Sequence, residues 1–186
     1  MPFIETGIPG LKIFEPQTFG DHRGYFLESF NENTFKEAGI TERFVQDNES
    51  KSQYGVIRGL HYQLNPYAQA KLVRVMIGKV LDVVIDIRKG SLTYGQKFEI
   101  ELSGENKKQL YIPRGFAHGF SVLEDNTIFC YKCDNFYNKQ SEGGILFSDP
   151  SLAIDWQVPA EKMLVSEKDM LNPLLKESVN NFEYTG

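Results

Sequence analysis

Between Arg58 and Lys71 the chain reads Arg-Gly-Leu-His-Tyr-Gln-Leu-Asn-Pro-Tyr-Ala-Gln-Ala-Lys, which places one of only three histidines among two fixed cations. Proton abstraction beside a carbonyl needs a base that is neutral near pH 7, a cation or donor for the enolate oxygen, and an acid to return the proton. An imidazole, with an unperturbed pKa of ~6.5, suits the first task, and His61 is the candidate. Lys71 or Arg58 could stabilise the oxyanion. Tyr131, which alternates with Phe129 on one strand face, could carry a proton on a rigid arm. Each also has a plainer use. An imidazole in an apolar strand is more often a satisfied core group, and a strand tyrosine more often packs with its hydroxyl at the rim.

Metal binding is the competing use of the histidines. His61 and His118 could supply two ligands of a two-histidine, one-carboxylate iron site. Small β-barrels that hold such a metal usually present His-x-His followed by Glu. Here His61-Tyr62-Gln63 has no Glu close behind and His22 is the only other histidine, so no metal is expected. Cys130-Tyr-Lys-Cys133 resembles half a zinc site or a redox pair. In a β-branched, aromatic strand, however, positions i and i+3 face opposite ways, and the thiols would not meet. No glycine-rich phosphate loop is present, which leaves ATP and dinucleotides without support. Arg23, Arg58, Lys71 and Lys168 are dispersed; if some converge, a phosphate is their natural partner.

Strands must position these groups. In Leu60 to Asn65, alternation sends His61 and Gln63 away from Leu60 and Leu64, and would leave Arg58 on the leucine face. Gly59 lies between Arg58 and His61, so a bulge there is expected to turn both into one pocket. Short strands separated by turn signals follow: Leu72–Ile77, Val80–Ile87, Phe98–Leu102, Leu110–Ile112 and Ser121–Leu123. The longest is expected to pack Leu81, Val83, Ile85 and Ile87 on one face and to show a polar face with Asp82 and Asp86. Pro113-Arg-Gly-Phe-Ala-His-Gly-Phe120 reads as a half-buried loop. Leu11–Phe14 and Tyr25–Phe30 open the chain as strands. Asn31 caps a short helix over Glu32–Ala38 that Gly39 closes. Gly144–Phe147 and Ala153–Trp156 are possible short strands, Ser166–Asp169 has the form of a capping box, and the tail from Glu177 is expected to fray. The pattern is all-β, a sandwich, jelly roll or barrel.

The 186 residues suit one domain with a substantial core. A net charge of −5 gives no basic field to recruit nucleic acid. The first residues have no signal-peptide pattern and no run approaches a membrane span, so the chain is expected to be cytoplasmic.

Taken together, Asp21-His-Arg-Gly-Tyr-Phe-Leu-Glu28, Gln46-Asp-Asn48, Arg58-Gly-Leu-His-Tyr-Gln63, Gln69-Ala-Lys-Leu72, Asp82-Val-Val-Ile-Asp-Ile-Arg88, Pro113 to Phe120, Tyr131-Lys132, Asp149-Pro150 and Ser166-Glu-Lys-Asp169 closely resemble the dTDP-4-dehydrorhamnose 3,5-epimerase family. The match runs nearly end to end, in order. It implies a single cupin-type epimerase domain over 1–186, an all-β jelly roll with a few short helices that uses no cofactor. It also implies a homodimer that exchanges N-terminal strands, and 3,5-epimerisation of a dTDP-4-keto-6-deoxy sugar in dTDP-L-rhamnose synthesis. A relative that epimerises C3 alone is the alternative.

By position, His61 matches the family's general base, Tyr131 its acid, Asp169 the carboxylate that orients the base, and Lys71 the enolate-stabilising lysine. Arg23, Glu28, Gln46, Asp47, Asn48, Arg58, His118, Glu142 and Lys168 match nucleotide-sugar contacts, with Arg23 and Glu28 serving the partner's site. Tyr137 matches the aromatic that stacks on the nucleotide. One carboxylate seldom caps a helix and holds a distant imidazole equally well, so the capping and orienting roles of Asp169 compete. The sequence departs from the family at Leu92 and Gln157, where proline is common.

Overall fold

The computed structural model describes residues 2–185. In chain order its strands are β1 (Phe3–Glu5), β2 (Lys12–Phe14), β3 (Thr18–Asp21), β4 (Gly24–Leu27), β5 (Gln46–Ser52), β6 (Val56–Gln63) and β7 (Lys71–Ile77). They continue as β8 (Lys79–Asp86), β9 (Lys97–Ser103), β10 (Gln109–Ile112), β11 (Phe116–Val122), β12 (Thr127–Cys133), β13 (Glu142–Gly144) and β14 (Leu164–Val165). Two short helices, α1 (Glu32–Glu37) and α2 (Glu167–Met170), complete the regular structure with a few 3-10 turns. One sheet runs β1-β2-β10-β7-β12-β5 and the second β13-β6-β11-β8-β9, with β14 parallel to β6. The β3–β4 hairpin stands apart from both.

The inner faces of the two sheets share one core. Val73 and Val75 of β7, Leu110 and Ile112 of β10 and Phe129 of β12 meet Val80 and Val84 of β8 and Phe116, Phe120 and Val122 of β11. This is the cupin-type jelly roll that the strand pattern and the resemblance imply. The outer face of the second sheet is covered as well, because Ile145, Leu152, Trp156 and Phe182 pack on Leu81, Val83 and Ile85. On the outer face of the first sheet, α1 seats Phe35 against Phe3, Phe14 and Phe30 with ring centroids 4.9–5.0 Å apart. Burying such a ring stabilises by roughly 1.5–3 kcal/mol. Asn31 caps α1 by accepting from the backbone N–H of Asn33 and Thr34, and Gly39 follows at φ +82°, as its position predicts.

Several expectations need correction. The face of β8 that carries Asp82 and Asp86 is not polar surface: both carboxylates are fully buried, since β8 lies between β11 and β9 with covered faces on both sides. Pro113 to Phe120 is not a half-buried loop either. From Phe116 onward it is β11, buried at every position, with Phe116, Phe120 and Val122 facing inward and Ala117 outward. Ala153–Trp156 forms no strand, the strand expected over Gly144–Phe147 is instead β13, which ends at Gly144, and β1 was not expected. Gln157 sits at φ +55°, which a proline ring cannot adopt, so the departure at this position changes the local backbone.

The tail does not fray. Phe182 is buried, Lys89 bridges to Glu183, and the Tyr62 hydroxyl donates to the Val179 carbonyl at 2.7 Å. The two cysteines lie on β12 as free thiols, Cys133 buried and Cys130 partly exposed, as opposite-facing positions require.

Asp86 anchors the end of β8. Its carboxylate accepts from Arg88 Nε and Nη2 at 2.9 and 2.7 Å, from Ser91 Oγ at 2.7 Å and from Thr93 Oγ1 at 2.6 Å. Arg88 in turn lies over the rings of Phe116 and Tyr184. Burial alone would raise the Asp86 pKa, but these donors hold it below the usual carboxylate range. A carboxyl depressed on folding stabilises fully above its unfolded pKa, ~3.9, and loses that contribution as pH falls through the lower folded value. Asp86→Ala is therefore expected to cost about 3–5 kcal/mol at neutral pH by leaving Arg88 unpaired. Urea melts should show this loss shrinking in acid; an equal loss at pH 2 and pH 7 would contradict the assignment.

Candidate active site

Where β6 pairs with β11, His118 lies opposite His61 and Phe120 opposite Arg58, so Gly59 and Leu60 face the single residue Gly119. This is the expected bulge. Gly59 has φ +118°, and a Cβ on it would come within 2.5 Å of the Gly119 Cα, so only glycine fits both conformation and space. The bulge brings Arg58 and His61 to the wall of one cavity of about 620 Å³, which Lys71, His118, Tyr131, Lys168 and Asp169 also line. Arg58 Nη2 donates to Ser52 Oγ at 3.2 Å.

Asp169 resolves its two competing roles by dividing them. Ser166 caps α2 by accepting from the Asp169 backbone N–H at 3.1 Å, while the Asp169 carboxylate reaches His61 and Gly59. Its Oδ1 lies 2.6 Å from His61 Nε2, and its Oδ2 accepts the Gly59 N–H at 3.4 Å. Burial would raise this carboxyl, yet the bond to His61 keeps it below the usual range. Asp169 is therefore an ionised acceptor, His61 Nε2–H donates to it, and Nδ1 is left as the free lone pair.

Lys71 and Tyr131 come from the other sheet, on β7 and β12, with Lys71 Nζ 5.9 Å from the centre of the Tyr131 ring. Burial lowers the Lys71 pKa, with Cys133 and Asp82 opposing the shift. Burial raises that of Tyr131, Cys133 adding to the effect and Arg58 opposing it, so the phenol stays protonated near neutral pH. His118 Nε2 pairs with Asp82 Oδ2 at 2.9 Å, while burial pulls the imidazole down against that carboxylate. Each of the two facing histidines thus has its own carboxylate. Among the described residues no group of three or more His, Cys, Asp or Glu is placed to hold a metal.

A second cavity of about 390 Å³ shares His61, Lys71, Tyr131 and Lys168 with the first, and adds Gln46, Asn48, Tyr137 and Glu142. At its mouth Glu142 accepts from Tyr137 Oη at 3.0 Å and from Lys168 Nζ at 2.6 Å. The remaining expected contacts lie elsewhere. Asp47 points to the opposite face of β5, where it pairs with Lys132 at 2.9 Å. Arg23 pairs with Asp21 on the exposed hairpin, and Glu28 is exposed beyond it. Neither lines a cavity with His61. Asp82, which lines neither cavity, was not foreseen as the partner of His118. Its signal was present, since a carboxylate on a Val/Ile strand demands a buried partner if both faces are covered.

An imidazole on one sheet, paired with a carboxylate from α2, faces a protonated phenol and a lysine amine on the other. On a cupin-like fold this is the arrangement of an isomerase that moves protons across a bound ring. A family model described as dTDP-4-dehydrorhamnose 3,5-epimerase matches residues 5–177. The chain is 57% identical to the dTDP-4-dehydrorhamnose 3,5-epimerase of Shigella flexneri over 91% of its length and 93% of the relative's. The solved structure of that enzyme from Elizabethkingia anophelis superposes with a TM-score of 0.91 at 52% identity, covering 94% of this chain and 96% of the other. A Legionella pneumophila 3,5-epimerase in complex with dTDP-4-keto-L-rhamnose gives 0.90 at 52% identity, over 94% and 93%. The chain belongs to the dTDP-4-dehydrorhamnose 3,5-epimerase family.

Proposed function

We propose that this chain, as one catalytic domain, converts dTDP-4-dehydro-6-deoxy-D-glucose to dTDP-4-dehydro-L-rhamnose, the epimerising step of dTDP-L-rhamnose synthesis. The observation that carries the reading is the His61–Asp169 pair facing Tyr131 across one cavity from the opposite sheet. The 4-keto group acidifies the hydrogens on C3 and C5. His61 Nδ1 takes the C3 proton, and the electron pair moves onto O4, giving an enolate that Lys71 Nζ stabilises. The Tyr131 hydroxyl returns a proton to C3 from the other face as the ketone re-forms, which inverts the centre. Solvent removes the proton from His61 and restores that of Tyr131, and the cycle repeats at C5. No redox cofactor enters the balance. Lys168 and Arg58 suit the diphosphate, and Tyr137 offers an exposed ring for the base.

The same reading includes a homodimer. The β3–β4 hairpin exposes Phe19, Tyr25 and Phe26, at 55%, 59% and 68%, beside an Arg23 that lines neither cavity holding His61 of its own chain. Apolar exposure of that kind suits a partner subunit. Two unpaired thiols suit the reducing cytoplasm, and among the described residues no helix is long and apolar enough to cross a membrane. Incubation with the 4-keto-6-deoxy substrate in D₂O, followed by NMR, tests the reaction. Deuterium at both C3 and C5 with the L-lyxo product is expected; label at C3 alone would identify a C3-specific enzyme. Sedimentation of the same sample should give the mass of two chains, and a monomer would remove the shared site.

A further inference from the structure

Five amide side chains line the second cavity, and four of them are committed to the protein. Gln46 bonds Asn48 and the Tyr137 N–H, Asn48 donates to Cys133, Gln63 spans Tyr67 and Asn138, and Gln69 donates to Asn135. The fifth, Asn172, has a buried Nδ2 with no hydrogen-bond partner. A buried polar group without a partner is destabilising and uncommon, and it persists where a ligand supplies what the protein does not. The structure also makes room for this amide. A Cβ on Gly144 would lie 2.5 Å from Asn172 Oδ1 and 2.6 Å from Nδ2, so glycine at that position is what admits it. Gly144 is the register partner of His61 across β13 and β6, and Asn172 follows α2, the helix that carries Lys168 and Asp169. The amide is therefore held beside the base by the same two elements that orient it.

We propose that Asn172 is a substrate-binding residue, its amide hydrogen-bonding a hydroxyl or phosphoryl oxygen of the nucleotide ketosugar; this rests on the function proposed above. Asn172 lines the cavity although its Nδ2 is itself buried, and a half-turn about the terminal torsion exchanges the positions of Nδ2 and Oδ1. The neighbouring Glu142 is already occupied by Tyr137 and Lys168 and does not take up the Asn172 amide. The second cavity shares His61, Lys71 and Tyr131 with the first, so the contact falls on the sugar or on the diphosphate that leads to it.

The test is calorimetric titration of wild type, Asn172→Ala and Asn172→Leu with dTDP and with dTDP-glucose, which lacks the 4-keto group and does not turn over. Losing one neutral hydrogen bond should weaken dTDP-glucose about fivefold in both variants. Asn172→Leu keeps the bulk against Gly144, so its melting temperature should not fall. Weakening of dTDP-glucose alone assigns the contact to the sugar, and equal weakening of dTDP assigns it to the diphosphate. Unchanged affinity for both ligands, with or without a lower melting temperature, overturns the proposal. A wild-type protein that binds neither ligand overturns the underlying function as well, which separates the two failures.

Discussion

His61→Ala is expected to lower kcat for epimerisation by about 10³-fold, within the ~10²–10⁴ that a positioned general base contributes, while dTDP affinity stays within about threefold. The two effects separate because of where the imidazole sits. Its Nε2 is spent on Asp169, so its one free nitrogen serves proton transfer, and the groups suited to the diphosphate, Arg58 and Lys168, stand on other positions of the wall. Deuterium uptake at C3 and C5 should vanish together with turnover, since neither carbon is deprotonated without the base. The side chain of Asp169 is only 5% exposed and loses its imidazole partner in the variant, so a lower melting temperature accompanies the kinetic loss. Binding of dTDP shows that the cavity survives. A variant that keeps a tenth of wild-type turnover with normal dTDP binding would remove His61 from the role of base.

Much of this arrangement was legible because local rules and site chemistry coincide at the same residues. Gly59 announced a bulge between two functional side chains, and the bulge is there, against Gly119. Asn31 and Gly39 bounded α1 for reasons confined to one helical turn. What sequence could not supply was the second layer. Asp82 and Asp86 read as surface because nothing in β8 tells that their face, shared with Val80 and Val84, turns toward the other sheet while residues 145–182 cover the Leu81, Val83 and Ile85 face. Once both faces are closed, each carboxylate must find a donor, and they find His118 and Arg88. The same concealment hid β11, whose glycine and alanine look like loop residues until β6 and β8 are seen to press against them. Asp169 was ambiguous in principle, since a capping box and a His–Asp pair call for the same residue type. Only the fold shows that Ser166 accepts from the Asp169 backbone while the carboxylate reaches His61. Asn172 gave no signal at all, because an unpartnered amide is a property of the folded surroundings.

Tyr131→Phe separates the two halves of the proton transfer and so tests why the acid stands on the opposite sheet. The substitution removes one oxygen and leaves the ring beside Phe129, 6.1 Å between centroids, and near Lys71 Nζ. Deprotonation by His61 and enolate stabilisation by Lys71 are untouched, so deuterium should still enter at C3. What fails is delivery of a proton to the far face, and epimerisation is expected to fall about 10²–10³-fold, the usual contribution of a positioned acid. The recovered substrate should carry deuterium with its configuration retained, because His61 returns a solvent-exchanged proton to the face from which it took one. This pattern is the opposite of the His61→Ala result, where exchange and inversion disappear together. Burial keeps the wild-type phenol protonated, so its loss cannot be mimicked by a modest rise in pH. If Tyr131→Phe inverts both carbons at the wild-type rate, the proton comes from water in the open cavity. Facing sheets would then position the sugar without supplying its acid.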